Sequence, residues 1–217
     1  MMCFVFKGGV GIGDSPGSGV QTGALPFCRG ASAPAVKAAL GLVLLLAAGG
    51  CGDHAVVPPL DRYELGGEFS LTDQAGEPFQ LDALRGQVVA LFFGYTYCPD
   101  FCPLTLSKLS RVNELLDDQL HVLFVSVDPD RDDTAQLWAY LSAFDLSVTG
   151  LTGTAEQIAQ VTRQYGAGFR RQEEGETSYI IDHTSRTYLI DREGVVRYLF
   201  SSEDAAELMA AVIEQVP

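Results

Sequence analysis

The stretch Phe92–Leu106, FFGYTYCPDFCPLTL, decides how this chain is read. Its first residues close an almost unbroken apolar run, Gln87–Tyr95 (QVVALFFGY), of strand length. A run that is apolar on both faces is what a central strand covered on two sides requires. Its last residues begin a helix. Leu104, Leu106, Leu109, Val112, Leu115 and Leu116 recur at helical spacing, and Pro103 stands where the first turn has no use for the missing N–H. Between strand and helix lie Cys98 and Cys102. At a helix N-terminus the free N–H groups and the helix dipole favour thiolates, so both sulfurs should be reactive. A spacing of four puts them on one face if the first turn winds helically. A disulfide and a two-thiolate clamp for a soft metal ion are both open to such a pair.

Outward from this junction, strands and helices alternate. His121–Val127 (HVLFVSV) reads as a second buried strand and Asp133–Phe144 as a helix. A short strand follows near Val148–Leu151, then a helix over Thr154–Tyr165 that Thr154 and Gln157 open as a capping box. Ser178–Ile181 and Thr187–Ile190 read as strands joined across the Asp182–Arg186 loop. Glu193-Gly194 turns into VVRYLF, and a last helix opens at Ser202-Glu203-Asp204. Upstream, GGEFSLTDQAGEPFQL alternates about Asp73–Gly76 as a hairpin. The expected fold class is α/β, a thioredoxin-like domain with a central mixed sheet, flanking helices and an added N-terminal β-hairpin. No Gly-rich phosphate loop opens any of these helices, which leaves a nucleotide site without support.

The 217-residue chain carries a net charge of −14. Beyond residue 51 there are 11 Lys and Arg against 27 Asp and Glu, which argues against nucleic acid as a partner. Near the N-terminus AALGLVLLLAA, residues 38–48, is preceded by Lys37 and followed by small residues and Cys51. A spanning helix needs roughly 20 apolar residues, so this run reads as the core of a secretory signal. Ala48-Gly49-Gly50-Cys51 resembles a bacterial lipobox, with Ala48 where Leu is commoner. The expectation is a leader over 1–50, a lipid anchor and tether over 51–63 with lipid on Cys51, and a domain over 64–217. Residues 1–35 resemble no folded element, and one explanation is a translation start placed too early, with the true one at Val36. Cys3 and Cys28 then go with the leader, and of five cysteines only Cys98 and Cys102 remain free for chemistry. A single close pair in an exported domain is not a disulfide scaffold.

Thiol oxidoreductases of this fold use two residues between their cysteines and a cis-proline facing the sulfurs from the loop before a late strand. Here three residues intervene, and no proline occurs between Pro129 and Pro217. Asp182-His183-Thr184-Ser185 stands at the expected place of that proline, which sets a histidine facing two thiolates. FFGYTYCPDFCP, SVDPDRD and DHTSRTYLID, in that order, resemble the copper loop, the Val-Asp-Pro strand end and the histidine loop of the Sco (SenC) copper proteins of cytochrome c oxidase assembly. The likeness covers about Glu64–Val216 and departs at Asp133-Thr134-Ala135, where many relatives have Thr-Pro. The resemblance implies that Cys98, Cys102 and His183 are metal ligands for one copper ion per chain, Cu(I) or Cu(II), and that Cys98 and Cys102 form a redox disulfide. It implies the copper-bearing subunit of cytochrome c oxidase as partner; an oxidising compartment would draw the pair towards the disulfide and so calls for an exported thioredoxin-like reductase, and the signal and lipobox set the domain on the extracytoplasmic face of a bacterial membrane. The donor chemistry agrees: two thiolates and an imidazole suit Cu(I), which accepts low coordination, whereas zinc would want a fourth ligand.

The remaining candidates read as structural. His54 lies in the tether and His121 starts a strand; Asp182 should face away from His183, since neighbouring strand residues alternate. Asp128 and Asp132 read as strand-end and helix-cap residues, and Trp138 and Tyr140 as packing residues. Two functions follow. One is a copper-binding assembly factor with no catalytic residue, which delivers copper to an oxidase subunit or reduces that subunit's cysteines. The other is an enzyme, an extracytoplasmic thiol-disulfide reductase or a thiol peroxidase acting through Cys98 with Thr96 beside it. His183 separates them, because only the first needs it.

Overall fold

The computed structural model describes residues 57–174 and 178–217. The leader, Cys51, His54 and the first tether residues lie outside the described residues. The architecture is set by Val88–Gly94 (β3), in which every residue is buried. Only a strand with neighbours on both edges and helices on both faces can bury seven consecutive residues. It pairs in parallel with Leu120–Ser126 (β4), which pairs in parallel with Val148–Thr152 (β5). On its other edge it meets Thr187–Ile190 (β8) antiparallel, and β8 meets Val196–Phe200 (β9). The expected hairpin, Ser70–Asp73 (β1) and Pro78–Gln80 (β2), adds to the β5 edge. Its turn is held by the Asp73 carboxylate, which accepts from Ala75 N–H at 2.8 Å and Glu77 N–H at 2.9 Å, and by Gly76 at φ 86°. The sheet order is β2-β1-β5-β4-β3-β8-β9, a mixed sheet of thioredoxin-like arrangement with an N-terminal addition.

Strand alternation sends core side chains to both faces. Val88 and Ala90 share a cluster with Leu109 and Val112 of Phe101–Leu115 (α1) and with Met209, Val212 and Ile213 of Ala206–Ile213 (α4). Leu91 and Phe93 share the other with Leu137 and Leu141 of Thr134–Leu141 (α2) and with Ile158 and Val161 of Ala155–Gln164 (α3). The Thr154/Gln157 capping box is present in both directions, at 3.3 and 2.8 Å. Leu104, at 67% exposure, lies outside the buried stripe of α1 to which its spacing assigned it.

Three further expectations are corrected. The Ser178 strand runs to His183 (Ser178–His183, β7) and does not pair with β8; it pairs with Phe169–Glu174 (β6) in a separate two-stranded sheet. FRRQEE has no apolar alternation, so nothing local marks β6 as a strand. His183 therefore ends a strand instead of sitting in a hairpin loop. Ser201 and Asp204 close a turn through Ser201 N–H to the Asp204 carboxylate at 2.7 Å, so α4 starts later, with Ala205 at its cap position. Trp138 is 60% exposed and is not a packing residue, whereas Tyr140 packs on Phe124 and Phe144. Among the described residues no helix is long and apolar enough to cross a membrane.

Candidate metal and thiol site

Cys98 follows β3 by way of a turn in which its N–H donates to the Tyr95 carbonyl at 3.2 Å, and α1 begins three residues later. The Cys102 N–H, one of the free donors of the first helical turn, points at Cys98 Sγ at 3.4 Å. The sulfur thus takes the capping role that Asp100, at the N-cap position, leaves undone. Cys102 is fully enclosed and Cys98 is 8% exposed. Cys102 packs against the one residue of β3 that could let it in: a Cβ on Gly94 would lie 2.9 Å from Cys102 Sγ. A glycine inside a central strand signals such a close approach, and the sequence carried that signal unread.

The end of β7 brings His183 to the same place. Its Nε2 lies 3.6 Å from Cys102 Sγ, and the three donor atoms of Cys98, Cys102 and His183 fall within 4.8 Å of one another. His183 Nδ1 is 3.1 Å from the Thr184 carbonyl. A carbonyl only accepts, so Nδ1 carries a proton in that contact, and Nε2 is the ring nitrogen turned towards the sulfurs. The edges of Phe92 and Tyr95 hold the ring at 71° and 87°. Asp182 borders the cleft, but its carboxylate bonds Gln172 and does not join the three donors, as strand alternation predicts. Tyr95, Cys98, Pro99, Phe101 and His183 line a cleft of about 380 Å³ that opens to solvent.

The two thiols differ. A hydrogen bond from the Cys102 thiol, aided by His183 and by backbone N–H groups and opposed by burial, holds Cys98 down at about 4. Cys102 is pushed far up, first by that same bond and then by burial and the Cys98 charge. In the reduced protein the pair therefore keeps one proton, on the inner sulfur, with the thiolate on the outer one. Tyr140, whose hydroxyl is buried without a hydrogen-bond partner, is pushed up by burial and by both sulfurs.

Neighbouring groups are structural supports. Buried Asp132 accepts from Thr96 N–H at 2.9 Å, Thr96 Oγ1–H at 2.7 Å and Ser126 Oγ–H at 2.6 Å, tying the cysteine loop to the end of β4. Asp133, not Asp132, caps α2. Thr96 Oγ1 also accepts from Gln136 at 2.9 Å. Asp128 bonds Arg131 and the Tyr179 hydroxyl. His121 is remote from the cluster, bonded to Thr149 and pushed down by burial.

The SCO1/SenC family model matches residues 58–216. The chain belongs to the SCO1/SenC family. A SCO2-like protein of Rickettsia conorii is 36% identical over 155 residues, 69% of this chain and 76% of that one. Among solved structures, Bradyrhizobium japonicum ScoI with copper bound is 36% identical, with a TM-score of 0.66 over 70% of this chain and 99% of that one. Yeast Sco1 with copper bound is 32% identical, with a TM-score of 0.66 over 71% of this chain and 89% of that one. SCO1/SenC membership and the shared fold agree with the resemblance carried by the three sequence motifs.

Proposed function

We propose that this chain binds one copper ion through Cys98, Cys102 and His183 and serves the assembly of a copper site in cytochrome c oxidase. The observation that carries the reading is the meeting of the three donors within 4.8 Å at the edge of an open cleft. Two thiolates and one neutral imidazole suit soft, low-coordinate Cu(I). Among the described residues no fourth His, Cys, Asp or Glu closes the cluster, as a structural zinc site would require. Copper in similar Sco structures supports the same cargo. Cys98 is the sulfur an incoming ion or protein meets first, Cys102 holds from beneath, and His183 closes from the second sheet.

A second role for the same sulfurs is favoured by the outer thiolate. Cys98 attacks a disulfide of the receiving subunit and forms a mixed disulfide. Cys102, losing its proton, then attacks Cys98 and closes the Cys98–Cys102 disulfide, releasing the partner's two cysteines reduced. Electrons return from an exported thioredoxin-like reductase, which must act before copper can be loaded again. A thiol peroxidase finds less support, since the Thr96 hydroxyl is committed to Asp132 and Gln136. The setting is the extracytoplasmic side of a bacterial membrane, with lipid on Cys51, residues 52–63 as tether and the domain over 64–217.

The test is copper stoichiometry of the reduced domain from Gly52 onward. One copper per chain is expected for the wild type, with severe weakening by Cys98→Ser, Cys102→Ser or His183→Ala and collapse on oxidation of the pair. Full affinity and an unchanged copper spectrum in His183→Ala would reject the ligand set. In cells lacking the protein, His183→Ala at matched expression and limiting copper separates delivery, which it abolishes, from reduction, which it spares.

A further inference from the structure

We propose that Arg131 is a positioning residue that latches the His183 strand to the cysteine loop and sets how fast the imidazole leaves the two sulfurs. The proposal rests on the reading of His183 as a ligand. Among the described residues β7 makes no ladder with the seven-stranded sheet, only with β6. A two-stranded ribbon is marginal alone, so side chains must fix where it lies. Tyr179, Ile181 and His183 share one face of β7. Ile181 is buried and its N–H donates to the Tyr95 hydroxyl at 3.2 Å. A second attachment runs through Arg131.

Arg131 touches three segments at once. Its Nε donates to Asp128 at 2.5 Å and its Nη1 to the Tyr179 carbonyl at 3.1 Å. Its guanidinium carbon lies 3.6 Å from the Tyr179 ring centre and 4.8 Å from that of Tyr97, the residue before Cys98. The Tyr179 hydroxyl returns to Asp128 at 2.7 Å, closing the latch. Arg171 also lies 3.5 Å from the Tyr179 ring centre, and two guanidinium carbons at these distances must take opposite faces. Arg171 sits on the ribbon itself, bonds Glu173 of its own strand and reaches the body only through exposed Asp130 at 3.6 Å. A planar fork that bonds in its plane and stacks on its face can fill the Arg131 position, and a lysine cannot.

The experiment has a metal-free and a copper arm. In the reduced, metal-free protein, Arg131→Met should speed hydrogen exchange at Ile181 and its β7 neighbours at least about tenfold, equivalent to about 1.4 kcal/mol, with β3 and β4 amides unchanged. In the copper-loaded protein, release to excess chelator should quicken at least about tenfold, and Arg131→Lys should resemble Arg131→Met in both arms. Wild-type exchange at Ile181, or an equal rise throughout the main sheet, overturns the latch. If Arg131→Met does not fold, Tyr179→Leu decides in its place, with faster β7 exchange supporting the latch and wild-type exchange overturning it. Should His183→Ala release copper at the wild-type rate while Arg131→Met still frees β7, the latch stands and the ligand assignment fails.

Discussion

Gly94→Ala tests whether one missing side chain makes room for the inner sulfur. A Cβ built at this position meets Phe124 Cε2 at 2.7 Å, Cys102 Sγ at 2.9 Å and Phe92 Cε1 at 3.0 Å. Ordinary carbon contacts lie near 3.5–4.0 Å, so each neighbour must give by roughly 0.5–1 Å. None can give without disturbing its packing, since Phe92, Phe124 and Cys102 are all fully buried. Overpacking of this kind costs about 1–3 kcal/mol. For a domain of this size each kcal/mol lowers the melting temperature by about 2–4 °C, so a fall of roughly 2–12 °C is expected in the reduced, metal-free domain. The sulfur is the smallest of the three obstacles and sits in the first turn of α1, so it should yield first and move relative to His183 Nε2. Copper affinity should then drop by about tenfold or more. Gly150→Ala on β5, where the new methyl collides with Leu141 of α2, is the control; it should cost comparable stability and leave copper binding intact. The assay is a thermal melt beside a competition titration with a Cu(I) chelator. Gly94→Ala that melts and binds copper like the wild type would refute the reasoning.

Cys98 should be alkylated before Cys102 in the reduced protein and should keep reacting well below pH 7, because its folded pKa is lowered to about 4; mass spectrometry after iodoacetamide would show the opposite order if the assignment were reversed. The sign for stability follows: a thiol lowered on folding contributes fully above its unfolded pKa and loses that contribution as pH falls towards 4. The stability difference between wild type and Cys98→Ser should therefore narrow on acidification in denaturant titrations. Asp132→Ala strands three donors, two of them on Thr96; at about 1–3 kcal/mol for each buried donor left alone, loss of several kcal/mol is expected, and a melt within 2 °C of wild type, about 1 kcal/mol or less, would discount that role. The mature protein should begin at a lipid-bearing Cys51 and partition with membranes, and an unmodified N-terminus elsewhere in the mass spectrum would remove the anchor.

The elements whose signals are local can be read directly from the chain. The apolar run of β3, the helical spacing of α1 and the Thr154/Gln157 box are each written within one or two turns of chain, because burial on both faces, the 3.6-residue repeat and capping chemistry all act at short range. They place two cysteines at a strand–helix junction, and the motif order then points to His183. What joins these residues is not local. His183 lies 81 positions from Cys102 and arrives on β7, whose only strand partner among the described residues is the charged β6, which has no hydrophobic alternation to announce it. Which thiol is outermost, that Asp132 anchors the cysteine loop and that Arg131 grips Tyr179 depend on contacts between segments that only meet once the sheet has closed. Gly94 stands between the two cases: its place in an apolar strand is plain in the sequence, but the sulfur that forbids a methyl group there belongs to a helix that only the fold lays across it.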